Sequence, residues 1–503
     1  MSTIKETFFN YINEGYKTKG EFITLGAAML GEETVKDAYV KIPLKMINRH
    51  GLIAGATGTG KTKTLQVFAE NLSEKGIPVL LMDVKGDLSG LAQPSFGHPK
   101  INERHEKIGL PFEAKKFPVE ILTISEQDGA RLRATISEFG PTLLSRILDL
   151  TDVQSGIVAI LFKYCDDKHL PLLDIKDFKK ILQFSTREGR EEIEEEYGRI
   201  STSSTGAILR KIVEIEQQGG DFFFGERSFD VQDLKRVDDE GRGMISILRL
   251  TDIQDKPKLF STFMLQLLAE IYSTFPEQGD SGRPELVMFI DEAHLIFDEA
   301  SKALLNQIES IVKLIRSKGV GIYFVTQNPK DIPSDVLSQL GLKIQHALRA
   351  FTAKDRKAIK LTAENYPDSG YYDTKEVLTK LGIGEALVSS LSEKGIPTPL
   401  ARTMLRAPMS RMDILSDEEL KEQIASSEIA KKYNKEIDRE SAYELLEGKI
   451  KRINDREKKD DDEKAKTKKT ITRKSTRMNP ILKVVTSATF IRGVLGILKR
   501  VMK

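Results

Sequence analysis

Hydrophobic positions change their spacing several times along the chain, and the changes divide it. Residues 1–45 read as a lead-in with strand-like alternation in Tyr39-Val40-Lys41-Ile42-Pro43-Leu44. The short apolar run Gly51-Leu52-Ile53-Ala54 then leads into a glycine-rich turn, and residues 62–72 carry helical spacing. A second run, Ile77-Pro78-Val79-Leu80-Leu81-Met82, ends at Asp83. Short apolar runs alternating with amphipathic helices predict an α/β fold with a mostly parallel sheet. The same rhythm returns at residues 243–248, 285–290, 320–325, 343–348 and 385–391. The core is therefore expected over residues 46–100 and 236–408. Residues 101–235 read as an all-helical insertion, with helical spacing at 130–139, 143–148 and 153–165 and an acidic stretch around 191–197.

Beyond Pro408 the chain becomes helical and charged, predicting a helical extension over residues 409–448. Residues 449–480 are rich in Lys and Arg and contain no aromatic residue, a composition expected to form a basic linker rather than a core. In 481–503, apolar residues at Ile481, Val484, Val485, Ala488, Ile491, Leu495, Leu498 and Met502 predict an amphipathic terminal helix.

Composition narrows the class. The chain has 503 residues, 40% apolar and 30% charged, enough for a sizeable core, and a formal net charge of +2. Binding of a polyanion must then come from local patches rather than an overall basic field. A single cysteine, Cys165, excludes an internal disulfide framework and a cysteine zinc cluster. The opening MSTIKETFFNYINEG lacks the basic head and apolar core of a signal peptide, and no stretch reaches the roughly 18 to 20 apolar residues of a spanning helix. A cytoplasmic protein is expected.

The strongest chemical signal is Gly55-Ala56-Thr57-Gly58-Thr59-Gly60-Lys61-Thr62, a complete G-x-x-x-x-G-K-[ST] between a strand and a helix. Its glycines let successive N–H groups face a phosphate chain, and the helix start adds its positive dipole end. Lys61 is expected to reach the β- and γ-phosphates of ATP and Thr62 to ligate Mg²⁺, with Thr64 one turn on among the nucleotide contacts. In Leu286-Val287-Met288-Phe289-Ile290-Asp291-Glu292 an apolar run ends in two carboxylates, as a buried parallel strand does at a ligand-binding sheet edge. Asp291 is the expected second Mg²⁺ residue and Glu292 the group that polarises the attacking water. Gln327, ending the run Gly321-Ile322-Tyr323-Phe324-Val325-Thr326, is placed to sense the γ-phosphate or orient that water. Asp83 and Asp87 fit either the site or turn chemistry equally well. His50, His294 and His346 lack metal-ligand spacing.

Together these motifs resemble the HerA-like helicase family, in the HerA/FtsK branch of RecA-like P-loop motor ATPases. The segments carrying the resemblance are the P-loop, VKGDLSGL, ISTSSTGAILR, GRGMISILRL, IDEAHLIF, LIRSKGVGIYFVTQNP and IQHALRAFTAKDRKAIK, spread over residues 20–405. The resemblance implies an ATP-hydrolysing homo-hexameric ring that translocates along or unwinds DNA. It also implies an arginine supplied from one subunit to the next subunit's site; Arg316 matches that position, with Arg349 and Arg249 as the other candidates. Two features depart from the HerA pattern. The residues before the P-loop strand leave little room for an N-terminal β-barrel, which puts a nuclease partner in doubt, and the insertion is large.

Two other readings remain open: an ATP-switched scaffold or assembly protein with a different protein partner, and a membrane-linked translocation motor. The basic segment and terminal helix suit a docked helix, nucleic-acid phosphates, or peripheral contact with an anionic membrane.

Overall fold

A computed structural model describes residues 2–472, apart from 253, 254, 280, 281, 299–301, 351 and 438. Its centre is one twelve-stranded sheet. In chain order the strands are β1 (Phe22–Leu30), β2 (Glu33–Pro43), β3 (Gly51–Ala54), β4 (Val79–Asp83), β5 (Val119–Thr123), β6 (Ala130–Arg131), β7 (Ile245–Arg249), β8 (Leu286–Ile290), β9 (Val320–Thr326), β10 (Leu342–Gln345), β11 (Glu385–Ser389) and β12 (Ala401–Leu405). They lie in the order β2-β1-β12-β11-β10-β3-β9-β8-β4-β7-β5-β6. From β10 to β6 every pairing is parallel, and from β10 back to β2 every pairing is antiparallel.

The central strands are buried on both faces, and their alternation divides two cores. Leu52, Leu80, Met82, Leu286, Met288, Ile290, Ile322 and Phe324 pack on one side, against the helices Pro257–Thr274 and Lys302–Ile315 and the inserted helices. Ile53, Val79, Leu81, Val287, Phe289, Tyr323 and Val325 pack on the other, against Leu65, Phe68 and Leu72 of the helix Lys61–Glu74 and Phe8 and Ile12 of the helix Ser2–Gly15. Burial of such a strand on two faces is why its sequence reads as an unbroken apolar run.

Three sequence expectations change. The lead-in is built into the sheet: β1 and β2 extend its antiparallel half, which the alternation at residues 39–44 showed only in part. The stretch expected to be an all-helical insertion contributes β5 and β6 to the main sheet, and Ala130–Arg131 is strand rather than the start of a helix. The inserted helices run from Ile136–Ile147, kinked at Gly140 (φ 65°), to Gly220–Phe223. Third, much of the expected basic linker is helical, within Ala442–Thr472. Ala442 and Leu446 are fully buried, and Ile450 and Ile453 pack on the first core, so the helix is seeded by packing and continued by its Lys and Glu residues. The expected terminal helix, 481–503, lies outside the described residues. Among the described residues no helix is long and apolar enough to cross a membrane.

Candidate functional site

The C-terminal ends of β3, β9, β8 and β4 lie side by side, with Ala54 opposite Thr326, Ile290 opposite Phe324 and Met82 opposite Ile290. That register brings four turns to one edge of the sheet, the edge where parallel α/β sheets place ligands.

The turn after β3 is the glycine-rich loop. Gly60 caps the helix Lys61–Glu74 at φ 109° and Gly58 stands at φ 77°, backbone conformations that side chains with a Cβ rarely adopt. The loop is pinned at several points. The Ala56 N–H donates to Ala347 O (2.8 Å), the Thr59 hydroxyl to Ala56 O (2.7 Å), and the Gly384 N–H to Thr59 O (3.1 Å). Behind it, His346 is fully buried and its Nε2 lies 2.9 Å from the Thr64 hydroxyl, while no partner meets its Nδ1. Burial, with Lys61 adding to it, pushes the His346 imidazole down to about 4, so the ring is neutral at physiological pH. Thr64 is thus turned to His346, and Thr62 is half-buried at the loop. Lys61 is buried and donates to Gly55 O (2.7 Å) and Ala56 O (3.2 Å), so its ammonium lies folded over the loop.

Asp291 and Glu292 follow β8 and are 4% and 6% exposed. Glu292 holds a left-handed backbone (φ 47°), unusual without glycine and a mark of a functional turn. Its Oε1 meets the Lys85 ammonium at 2.5 Å, while its buried Oε2 has no hydrogen-bond partner, His294 Nδ1 standing 3.4 Å away outside hydrogen-bond geometry. Asp291 Oδ1 accepts the Glu292 N–H (2.9 Å), and its Oδ2 is 3.8 Å from Lys85. Burial pushes the Asp291 carboxyl up to about 6, with Glu292 adding to the rise and Lys85 opposing it.

That shift has a consequence for stability. A carboxylic acid that binds its proton more tightly when folded costs stability in its charged form; the cost is absent below about pH 4 and complete above about pH 6. The nucleotide-free Asp291→Asn chain is therefore expected to be more stable than the parent at pH 8, by about 1–2 kcal/mol, with the gain vanishing near pH 4. Thermal midpoints across that pH range check it; a lower midpoint at pH 8 would show that Asp291 stabilises the turn instead.

The structure assigns the two remaining acidic residues differently. Asp83 accepts N–H bonds from Gly86 (2.7 Å), Asp87 (3.2 Å) and Leu88 (3.2 Å), so its carboxylate closes the turn after β4. Asp87 Oδ1 is buried without a partner. Gln327 is exposed at the tip of β9, beside the loop and the carboxylates. Lys85, at the site beside both carboxylates, is a residue that sequence reasoning passed over; its signal was a lone cation between two aspartates in a turn following a strand, legible only once β4 is known to neighbour β8.

The arginines separate. Arg249 ends β7, two strands from β8, and donates to Asp128 O (3.0 Å); Arg349 is exposed past β10 and donates to Thr379 O (3.1 Å). Arg316 precedes β9, whose seven residues place it roughly 20 Å from the phosphate-binding edge. It lines a cavity of about 430 Å³ at the opposite edge with Arg49, Lys313 and Lys343, and among the described residues no acidic one lines that cavity. Burial lowers the Lys343 ammonium below its ordinary value.

Comparison with known proteins gives a consistent picture. Residues 29–493 match the family described as "Helicase HerA-like C-terminal". The DNA double-strand break repair helicase HerA of Sulfolobus acidocaldarius is 24% identical over 419 residues, covering 80% of this chain and 76% of that protein. Its namesake from Saccharolobus solfataricus is 25% identical over 373 residues, 72% of this chain and 66% of that protein. Among solved structures, the bacterial conjugative coupling protein TrwBdeltaN70 in complex with sulphate superposes with a TM-score of 0.53 at 15% identity, covering 81% of this chain and 94% of that one. The plasmid coupling protein TrwB bound to the ATP analogue ADPNP gives 0.51 at 16% identity, covering 81% and 95%. These structures share the P-loop ATPase fold.

Proposed function

The chain belongs to the HerA-like helicase family of P-loop ATPases, and from that membership and the site geometry we propose that it is a ring motor that hydrolyses ATP to move along or unwind DNA. The observation that carries the reading is the convergence, at one edge of the sheet, of a complete phosphate-binding loop after β3 with two buried carboxylates after β8, one of them with an unpartnered oxygen.

ATP is the substrate. The backbone from Gly55 to Thr62 cradles its phosphates, with Ala56, Thr57, Gly58, Thr59 and Gly60 shaping the cradle and Lys61 moving from the loop carbonyls to the β- and γ-phosphates. Thr64 supports the cradle through His346. Thr62 and Asp291 suit Mg²⁺: a hydroxyl and a buried carboxylate are hard oxygen donors, and a divalent cation offsets the burial cost of the Asp291 charge. Bound there, Mg²⁺ supplies charge neutralisation of the phosphates. Glu292 takes the proton of the attacking water while that oxygen bonds to the γ-phosphorus and the bond to the ADP oxygen breaks. Gln327 orients the water.

Arg316 lies at the sheet edge opposite its own loop, a placement that suits service to the site of an adjacent copy, and Arg49, Lys313 and Lys343 beside it make that edge basic. Arg316→Ala is expected to bind ATP as the parent does and to hydrolyse it at least about 10-fold more slowly. Mixing it with Glu292→Gln subunits should restore part of the activity, because one type of interface then holds both intact residues. Two inactive variants that stay inactive when co-assembled would contradict sharing of the site between subunits.

A further inference from the structure

The turn after β4 carries a cation that the reaction above does not use. Lys85 is exposed, with 35% of its side chain open to solvent, and reaches across to the adjoining strand end, to Glu292 Oε1 at 2.5 Å and Asp291 Oδ2 at 3.8 Å. Burial works against its charge, yet Asp291 and Glu292 outweigh that cost and hold the Lys85 ammonium above its ordinary value. The turn itself is rigid: Asp83 gathers the N–H groups of Gly86, Asp87 and Leu88, which fixes where the Lys85 stem begins. The other nearby cation, Lys61, is engaged with Gly55 O and Ala56 O. Lys85 is thus the cation in close contact with Glu292 Oε1, while the second oxygen has no hydrogen-bond partner, with His294 Nδ1 3.4 Å from it.

We propose that Lys85 is a positioning residue for hydrolysis, holding one oxygen of Glu292 so that the other is aimed at the attacking water. This rests on the assignment of Glu292 as the proton acceptor and adds to it the group that orients it. A base anchored through one oxygen loses little freedom when the water arrives, and misplacement by about 1 Å is enough to cost on the order of 10²-fold.

The test uses the full chain with Lys85→Met, Lys85→Arg, Glu292→Gln and the Lys85→Met/Glu292→Gln double variant. Lys85→Met is expected to lower kcat by about 10- to 10²-fold with KM changed by less than about threefold, and Lys85→Arg to recover most of the loss, because a guanidinium reaches a carboxylate as well. Without nucleotide, Lys85→Met should lower the thermal midpoint more when Glu292 is present than in the Glu292→Gln background, where only the more distant Asp291 at 3.8 Å loses its cation. An unchanged kcat, a rise in KM alone, or additive midpoint shifts would each overturn the proposal, as would a raised kcat, which would make Lys85 a brake. Failure of the broader assignment is separable: Glu292→Gln would then turn over ATP like the parent. An inactive Glu292→Gln beside a fully active Lys85→Met would sink the role of Lys85 alone.

Discussion

Glu292→Gln is expected to bind ATP and hold it, with hydrolysis slowed by about 10²–10⁴-fold, the range a positioned general base supplies. Glutamine keeps the length and most of the packing of glutamate, so the left-handed turn at residue 292 and the core beneath it should survive. What it loses is the capacity to take a proton. It also gives up the charge that faces Lys85, leaving that lysine to Asp291 at 3.8 Å. Nucleotide affinity should stay within a few-fold of the parent, because the phosphates are held by the loop after β3 and not by the end of β8. Rapid quench of a single turnover, paired with a filter assay for retained ATP, distinguishes the two effects. Turnover at the parental rate would remove Glu292 from the chemistry.

Lys61→Ala should act one step earlier, on binding as well as on hydrolysis. In the proposed role Lys61 gives charge-assisted hydrogen bonds to phosphate oxygens, each worth about 1.5–3 kcal/mol, so its loss should weaken ATP by roughly 10- to 10²-fold and bring hydrolysis to background. The fold should not suffer. Burial lowers the Lys61 ammonium below its ordinary value, with Lys85 adding to the effect and Glu292 and Asp291 opposing it, so the nucleotide-free chain gives up a strained charge when the lysine is removed. Isothermal titration with a non-hydrolysable ATP analogue and a thermal melt of the same preparation check both halves. Tight binding by Lys61→Ala would contradict the placement of the γ-phosphate.

The pattern of hydrophobic positions carried the parallel half of the sheet because β3, β4, β8 and β9 are buried on both faces and read as unbroken apolar runs. β1 was missed because Phe22–Leu30 contains Gly26, where a side chain would collide with Met404 O, so a strand made for close approach resembles a loop in sequence. β5 was missed because Glu120 interrupts a short run that is otherwise apolar up to Thr123 and buried throughout; in the fold that carboxylate is answered by Arg236 at 2.8 Å from a distant turn. The phosphate loop was legible since its chemistry is local, and so were the two carboxylates ending β8. Lys85 and His346 were not, because their partners come from neighbouring strands and the strand order is a property of the folded sheet. The choice between Asp83 as a ligand and Asp83 as a turn residue depended on three backbone N–H groups that only the structure places.

The central claim, that ATP hydrolysis here drives movement on DNA, is tested most directly by steady-state hydrolysis of the purified full chain, with and without double- and single-stranded DNA, at low and physiological salt. Lys61→Ala serves as the blank. The account predicts hydrolysis absent from the blank, stimulated several-fold by one DNA form, with the stimulation fading as salt rises and phosphate contacts are screened. Hydrolysis that disappears in Lys61→Ala yet is unmoved by any DNA at either salt would contradict the motor and leave an ATPase that serves a protein partner or a membrane surface.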